Sequence, residues 1–298
     1  VVFTLALVAI IGLTGLVIDA GSTFAQRRGQ QNVADTAALA GAYAYLNSGG
    51  DPAAAVAAAK AIAAANGYPD GVGGVAVTVT VTPGSPGTTV QVDVGRPHQN
   101  YFAGLLGFPS WAVGTTATAI TGVPNVAQGG AMPIIFNQQA VGAHGYGPGN
   151  TFAYDEPGTG TQDVPQGPNQ FNWTVFCTAN GNPCNANSNT VDDLINGYGR
   201  SADVTLGMLI GPLNAGSHAT LFSDLANWVG YDFPVVAVDN QGRMVGFAVF
   251  HLTGSVGGST KQVSGYFKSP INFAGLKIRP GVPGASAAFG AYTVQLVN

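Results

Sequence analysis

Four histidines, His98, His144, His218 and His251, are the side chains of this 298-residue chain best suited to moving protons or ligating a metal near neutral pH. None has a second ligand-type residue two to four positions further on, the spacing that aims two ligands at one ion. A G-x-S-x-G serine elbow, an H-E-x-x-H pair and a G-K-[ST] phosphate loop are all missing from the sequence. The glycine clusters at 71–74 and 145–149 lack dinucleotide-binding spacing and read as turns. His251 stands in an apolar strand pattern and reads as a hydrogen-bonded core histidine. Asp155 and Glu156 could contribute to a calcium site, yet the EF-hand spacing is missing. Asp192 and Asp193 follow Thr190 in the first turn of an expected helix, where the macrodipole favours acidic residues. No catalytic set, metal site or cofactor is therefore expected, and the chain does not read as an enzyme.

Two cysteines, Cys177 and Cys184, enclose TANGNP. An even, closely spaced pair in an exported chain reads as one disulfide, and a zinc site would need a second pair that is not nearby. Asn172-Trp173-Thr174 fits the glycosylation sequon. Only 8 % of residues are charged and the net charge is −4, so the basic footprint of a nucleic-acid binder is absent beyond the pair Arg27 and Arg28. A neutral surface rich in Gly, Ala, Thr and Asn suits an extracellular structural protein better than a cytosolic enzyme.

The element that must organise all of this is the amino-terminal run VVFTLALVAIIGLTGLVI, residues 1–18, which carries no charge. As a helix it rises about 27 Å, close to the thickness of a bilayer core. Its twelve large apolar side chains are Val1, Val2, Phe3, Leu5, Leu7, Val8, Ile10, Ile11, Leu13, Leu16, Val17 and Ile18. Removing them from water is worth roughly 20 to 35 kcal/mol as an upper bound. A secretory signal would have a shorter apolar region and a cleavage site, whereas Asp19 follows here at once. The shelter is therefore a membrane or a bundle of identical helices along a fibre. The helical pattern continues through Ala34, Ala37, Ala38, Gly41 and Ala44, so one helix is expected from Val1 to about Leu46.

FTLALVAIIGLTGLVIDAG followed by RRGQQNVADTAALAGA resembles the amino terminus of the TadE/TadG-like proteins of bacterial tight-adherence (Tad, Flp-type) pilus systems. YFAGLLGFPSWAVGTTATA (101–119) is similar to the same family, and FPVVAVDNQGRMVGFAVFHLTG (233–254) more loosely so. The resemblance implies a type IV pilin-like plan, with an apolar helix inside and a globular domain outside. Pilins of that kind generally carry a glutamate at the fifth mature position, where this chain has Leu5. If the chain polymerises, Asp19, Arg27, Arg28 and Asp35 are the first candidates to set the register between copies. The alternative for these four is a solvated charged collar at a membrane surface.

The expected fold is α+β: a long apolar stem helix (1–47) packed on an antiparallel sheet in a pilin-like head (48–122), then a β-rich surface domain (131–298). Asp51 and Pro52 open a second, alanine-rich helix ending near Gly67. VAVTVTVT and TTVQVDV alternate strictly and form a hairpin around PGSPG, and WAVGTTATAIT (111–121) adds a third strand. Residues 122–130 read as a linker. Residues 141–170, with Tyr146, Phe152 and Tyr154, read as a long loop whose aromatics offer a contact to a neighbouring subunit or to glycans, or else lie over their own domain. FPVVAV and RMVGFAVFHL form the core hairpin of the second domain, with KQVSGYFKS and AFGAYTVQLV as its further strands.

The function this implies is a structural subunit of an extracellular bacterial filament. The alternative is a membrane-anchored TadE/TadG-like accessory to Tad pilus assembly. Expected partners are copies of itself in a helical filament, the pilus secretion and assembly machinery, and the inner membrane before assembly. The expected location is the cell surface, reached through the inner membrane. The chain opens inside an apolar run with no preceding Lys or Arg, as a chain does once a basic leader is removed.

Closing so short a cysteine loop contributes about 2 to 3 kcal/mol in the chain-entropy model. Replacing both cysteines by serine is expected to lower the melting temperature by circular dichroism without abolishing assembly.

Overall fold

In the computed structural model, which describes residues 2–157, 164–177, 188–199, 202–210 and 219–297, the chain divides into two units. The first comprises Val1–Gly84, Thr88–Thr121 and Val294–Asn298; the second comprises Ser85–Gly87 and Gly122–Thr293. Side chains at 2, 4, 5, 8, 9, 177, 188 and 209 lie outside the description.

The first unit is built on helix α1, Val2–Asn47, unbroken over 46 residues. Its second half is a seam of small side chains: Ala34, Ala37, Ala38 and Ala42 are fully buried. A Cβ at Gly41 would come within 3.0 Å of Val90 Cγ1 and 3.1 Å of the Ala55 carbonyl oxygen, so glycine is what lets helix, helix and sheet meet there. Helix α2, Pro52–Ala65, starts as expected: the Ala53 N–H donates to the Asp51 carboxylate (2.9 Å) and Pro52 occupies the first turn. It ends in a Schellman arrangement around Gly67 (φ +84°), with Tyr68 N–H donating to Ala63 O and Gly67 N–H to Ala64 O. Its buried face is Ala55, Ala59 and Ala63.

Strands β1 (Ala76–Thr82) and β2 (Thr88–Gly95) pair antiparallel, Val77 opposite Val94 and Val81 opposite Val90. Their valines face the two helices and their threonines face out, as the alternation requires. The expected single strand over 111–121 is instead two. Strands β3 (His98–Gln99) and β4 (Ser110–Trp111) form a separate two-stranded ribbon, while β5 (Gly114–Gly122) pairs with β2. The carboxy-terminal strand, Ala291–Val297, is also placed differently from expectation. It neighbours β5, and its last residues complete the first unit's sheet rather than the second domain's main sheet.

The second unit holds a six-stranded mixed sheet, in spatial order Phe152–Asp155, Gln262–Phe267, Met244–Val256, Asp232–Val238, Ile134–Asn137 and Phe171–Trp173. The expected hairpin of Asp232–Val238 and Met244–Val256 is its centre. One face packs on an aromatic core that includes Phe136, Tyr154, Trp173, Phe222, Phe250 and Phe267. Two expectations are corrected here. The supposed linker 122–130 contains a buried strand, Val126–Ala127, and the supposed loop 141–170 contributes the edge strand Phe152–Asp155. Tyr154 is core, and Phe152 stacks on His144 at 3.5 Å between ring centroids, so these aromatics serve their own domain.

Helix Ser188–Asn196 begins before Thr190, so Asp192 and Asp193 sit past its first turn and the macrodipole does not account for them. Asp192 faces Asp224 of helix Ala219–Ala226. The hydrogen bond with Asp192, burial and the second negative charge raise Asp224 from an ordinary 3.8 to about 6. A raised carboxyl binds its proton more tightly when folded, so its contribution is complete below pH 3.8 and is lost as pH climbs through about 6. Asp224→Asn is expected to flatten the pH dependence of the unfolding midpoint across that window, followed by tryptophan fluorescence.

Candidate functional site

The apolar end of α1 is exposed wherever its side chains are described. Phe3, Leu7, Ile10, Ile11, Leu13, Leu16, Val17, Ile18 and Phe24 all face outward. Val1, Val2, Leu5 and Val8 lie outside the described side chains. Among the described residues, no helix is long and apolar enough to cross a membrane, and the run 1–18 falls only partly within them.

At the end of this run Asp19 is fully buried. Its carboxylate accepts three consecutive backbone N–H groups: Tyr101 at Oδ1 (2.8 Å), and Phe102 (2.9 Å) and Ala103 (2.7 Å) at Oδ2. These amides lead into the 3-10 turn Ala103–Leu106, whose first N–H groups have no partner within the turn. Burial is the largest single influence on Asp19 and pushes its pKa up. The amides of Ala103, Tyr101 and Phe102, with the charge of His98, together outweigh it, so the carboxyl sits below its ordinary value. Asp19 is therefore engaged by amides of its own chain.

A polar stripe continues up the same helix face. His98 Nδ1–H donates to Gln26 Oε1 (2.8 Å), and His98 Nε2 lies 3.0 Å from Ser22 Oγ. Gln26 Nε2 donates to the Arg96 carbonyl (2.8 Å), and Gln30 Nε2 to that of Val113 (3.2 Å). Asp19, Ser22, Gln26 and Gln30 thus fasten the ribbon β3–β4 to the helix. Their spacing of three, four and four residues is the signal that sequence reading passed over. Asp35 accepts from Gln31 Nε2 (2.8 Å) on α1 itself. Arg27 and Arg28 are exposed and make no ion pair among the described residues.

The ribbon carries a tip, residues 101–108, that presents Tyr101, Phe102, Leu105, Leu106 and Phe108 to the outside. Leu105 is 83 % exposed and Leu106 75 %, values that large apolar side chains of a free surface seldom reach in a group. The tip lies along the stem. A Cβ at Gly15 would meet Phe102 Cγ at 2.5 Å, and a groove of about 190 Å³ runs between Ile11, Gly12 and Leu16 on one side and Phe102, Leu105 and Leu106 on the other.

The other sequence candidates stand apart from this site. His251 is half-buried, its Nδ1 2.7 Å from Asp232 Oδ1, with Lys268 Nζ donating to the same carboxylate (2.6 Å). Asp155 accepts from Gln262 Nε2 (2.8 Å), and among the described residues no three His, Cys, Asp or Glu side chains converge as a metal site. Cys177 ends the short strand Phe176–Cys177, and its expected partner Cys184 lies outside the described residues, as does His218.

Residues 1–44 match the family model described as Putative Flp pilus-assembly TadE/G-like. This amino-terminal domain, the stem with Asp19 and most of the alanine seam, is what ties the chain to Flp pilus assembly. No curated protein and no solved structure matches the chain.

Asp19→Asn removes the charge and replaces one of the two accepting oxygens by an N–H donor, so at least one of the three amides loses its acceptor. Hydrogen exchange at residues 101–103 is expected to speed up at least about tenfold. The sign for acid follows from the lowered carboxyl: its contribution is present above the ordinary aspartate range and is lost as pH falls through the folded value. The wild type, but not the variant, is expected to lose this protection in acid.

Proposed function

We propose that this chain is a membrane-anchored component of Flp (Tad) pilus assembly, its apolar stem held in the inner membrane and its two units displayed outside the bilayer, with no catalytic role. The observation that carries this reading is the shared apolar surface of stem and tip, fastened together by a carboxylate that faces inward. Asp19, one of the candidates for setting a register between copies, is engaged within its own chain and gives a polymer no support.

A second reading, a pilin-like subunit whose stems bundle inside a filament, draws support from the groove beside Ile11 and Leu16, which has room for an apolar side chain of a neighbouring copy. The two readings part on where the chain is found. For an anchored component, wild type stays with membranes after alkaline extraction. Ile11→Asp or Leu7→Asp shifts at least about half of the chain to the soluble fraction with the head's circular dichroism unchanged. Recovery of the chain in sheared filaments seen by electron microscopy, with none left in membranes, sinks the anchored reading in favour of the filament subunit.

A further inference from the structure

The tip 101–108 combines two properties that rarely occur together on a water-facing loop. Tyr101, Leu105, Leu106 and Phe108 point outward, and no Asp, Glu, Lys or Arg occurs from residue 97 to residue 121. Beneath them most of the backbone N–H groups have partners within the chain. The N–H groups of Tyr101, Phe102 and Ala103 go to Asp19. Those of Leu105, Gly107 and Phe108 go to Phe102 O (3.1 Å), Gly104 O (3.2 Å) and Ala103 O (3.0 Å). At its neck, Asn100 N–H donates to Pro109 O (3.0 Å) and Asn100 Nδ2 to Phe108 O (2.8 Å). A loop in water has no need to satisfy its amides internally; a loop in hydrocarbon must.

Position identifies the surroundings. The tip lies beside Ile11, Gly12 and Leu16, within the apolar run rather than beyond it, so whatever shelters the stem at that level must also enclose Leu105 and Leu106. Charge identifies the chemistry just outside. Arg27 and Arg28 stand about 12 to 14 Å further along the helix axis than Asp19, at 1.5 Å per residue. Arg96 joins them, since its carbonyl is bonded to Gln26 and its guanidinium lies 5.8 Å from the Tyr68 ring centre. These three cations complement anionic headgroups.

We infer that residues 101–108 form a second membrane-embedded element, an apolar wedge seated in the outer hydrocarbon and headgroup layer of an anionic bilayer beside the stem. This rests on the anchored reading of the stem and adds to it a shallow insertion that fixes how far the stem enters.

The test uses the full chain in phosphatidylcholine vesicles containing phosphatidylglycerol and lipids nitroxide-labelled near the headgroup. An environment-sensitive fluorescent amino acid is placed at Leu105, at Leu13, or at Asn47 as an outside reference. The expected result is emission shifted to the blue and quenched at least about two-fold at Leu105 and Leu13, with neither change at Asn47. Quenching at Leu13 with water-like emission at Leu105 overturns the wedge and leaves the anchored stem intact. Water-like emission at both positions overturns the anchored stem and the wedge with it. A blue shift at Leu105 that follows protein concentration and ignores the nitroxide assigns the surface to a second copy and overturns the wedge. Quenching at Leu105 is also expected to weaken in vesicles lacking phosphatidylglycerol and in Arg27→Gln/Arg28→Gln; no change in either overturns the anionic preference.

Discussion

A carboxylate with no access to water is tolerable only when donors replace its hydration shell, and three neighbouring amides with no helical acceptor are tolerable only when an acceptor reaches them. Asp19 and residues 101–103 answer each other's need. Because Asp19 follows the last residue of the uncharged run, this one contact fixes where the apolar stem ends and where the folded head begins. It also holds an otherwise exposed apolar tip against the stem instead of leaving it to collapse elsewhere. Aspartate suits the position better than a longer acid, since a short side chain brings the loop close enough for Phe102 to lie on Gly15.

The head repeats this reliance on small groups at close range. Alanine contributes little apolar area per residue, so the seam of α1, α2 and the valine face of the sheet gains its cohesion from nearness. Gly41 sits where the three layers converge, and any side chain there would push them apart. The second unit follows the opposite scheme: a core of large rings in edge-to-face contact, such as Phe136 with Tyr154 at 5.1 Å and Trp173 with Phe222 at 5.3 Å.

Sequence alone made the local features legible. The unbroken helix, the Asp51-Pro52 start, the valine and threonine alternation and the Asp232–Val238 hairpin all follow from period, cap and turn rules acting over a few residues. What stayed hidden depends on partners far along the chain. The acceptor of the Tyr101 amide is 82 residues upstream, so Asp19 looked like a free surface charge. Strands of two residues, such as Val126–Ala127, are too short to show a period, and their glycine-rich flanks imitate a linker. The return of the carboxy terminus to the first unit's sheet is a matter of topology, which alternation cannot specify. The long segment 141–170 looked like a binding loop because its turn residues outnumber its apolar ones. Its strand is recognisable only once Gln262–Phe267 is seen to need an edge partner.

The continuity of α1 has a mechanical consequence. The helix runs unbroken through the Gly21-Ser22 pair and holds no proline between Ile18 and Asn47, so tension or torque applied at the amino end passes along the rod into the alanine seam. There the load is carried in shear by many close contacts at once, while the Asp19 clasp resists slip along the axis and rotation about it. A protein put together in this way behaves less like a tethered bead than like a rivet, whose shank and head move as one under load.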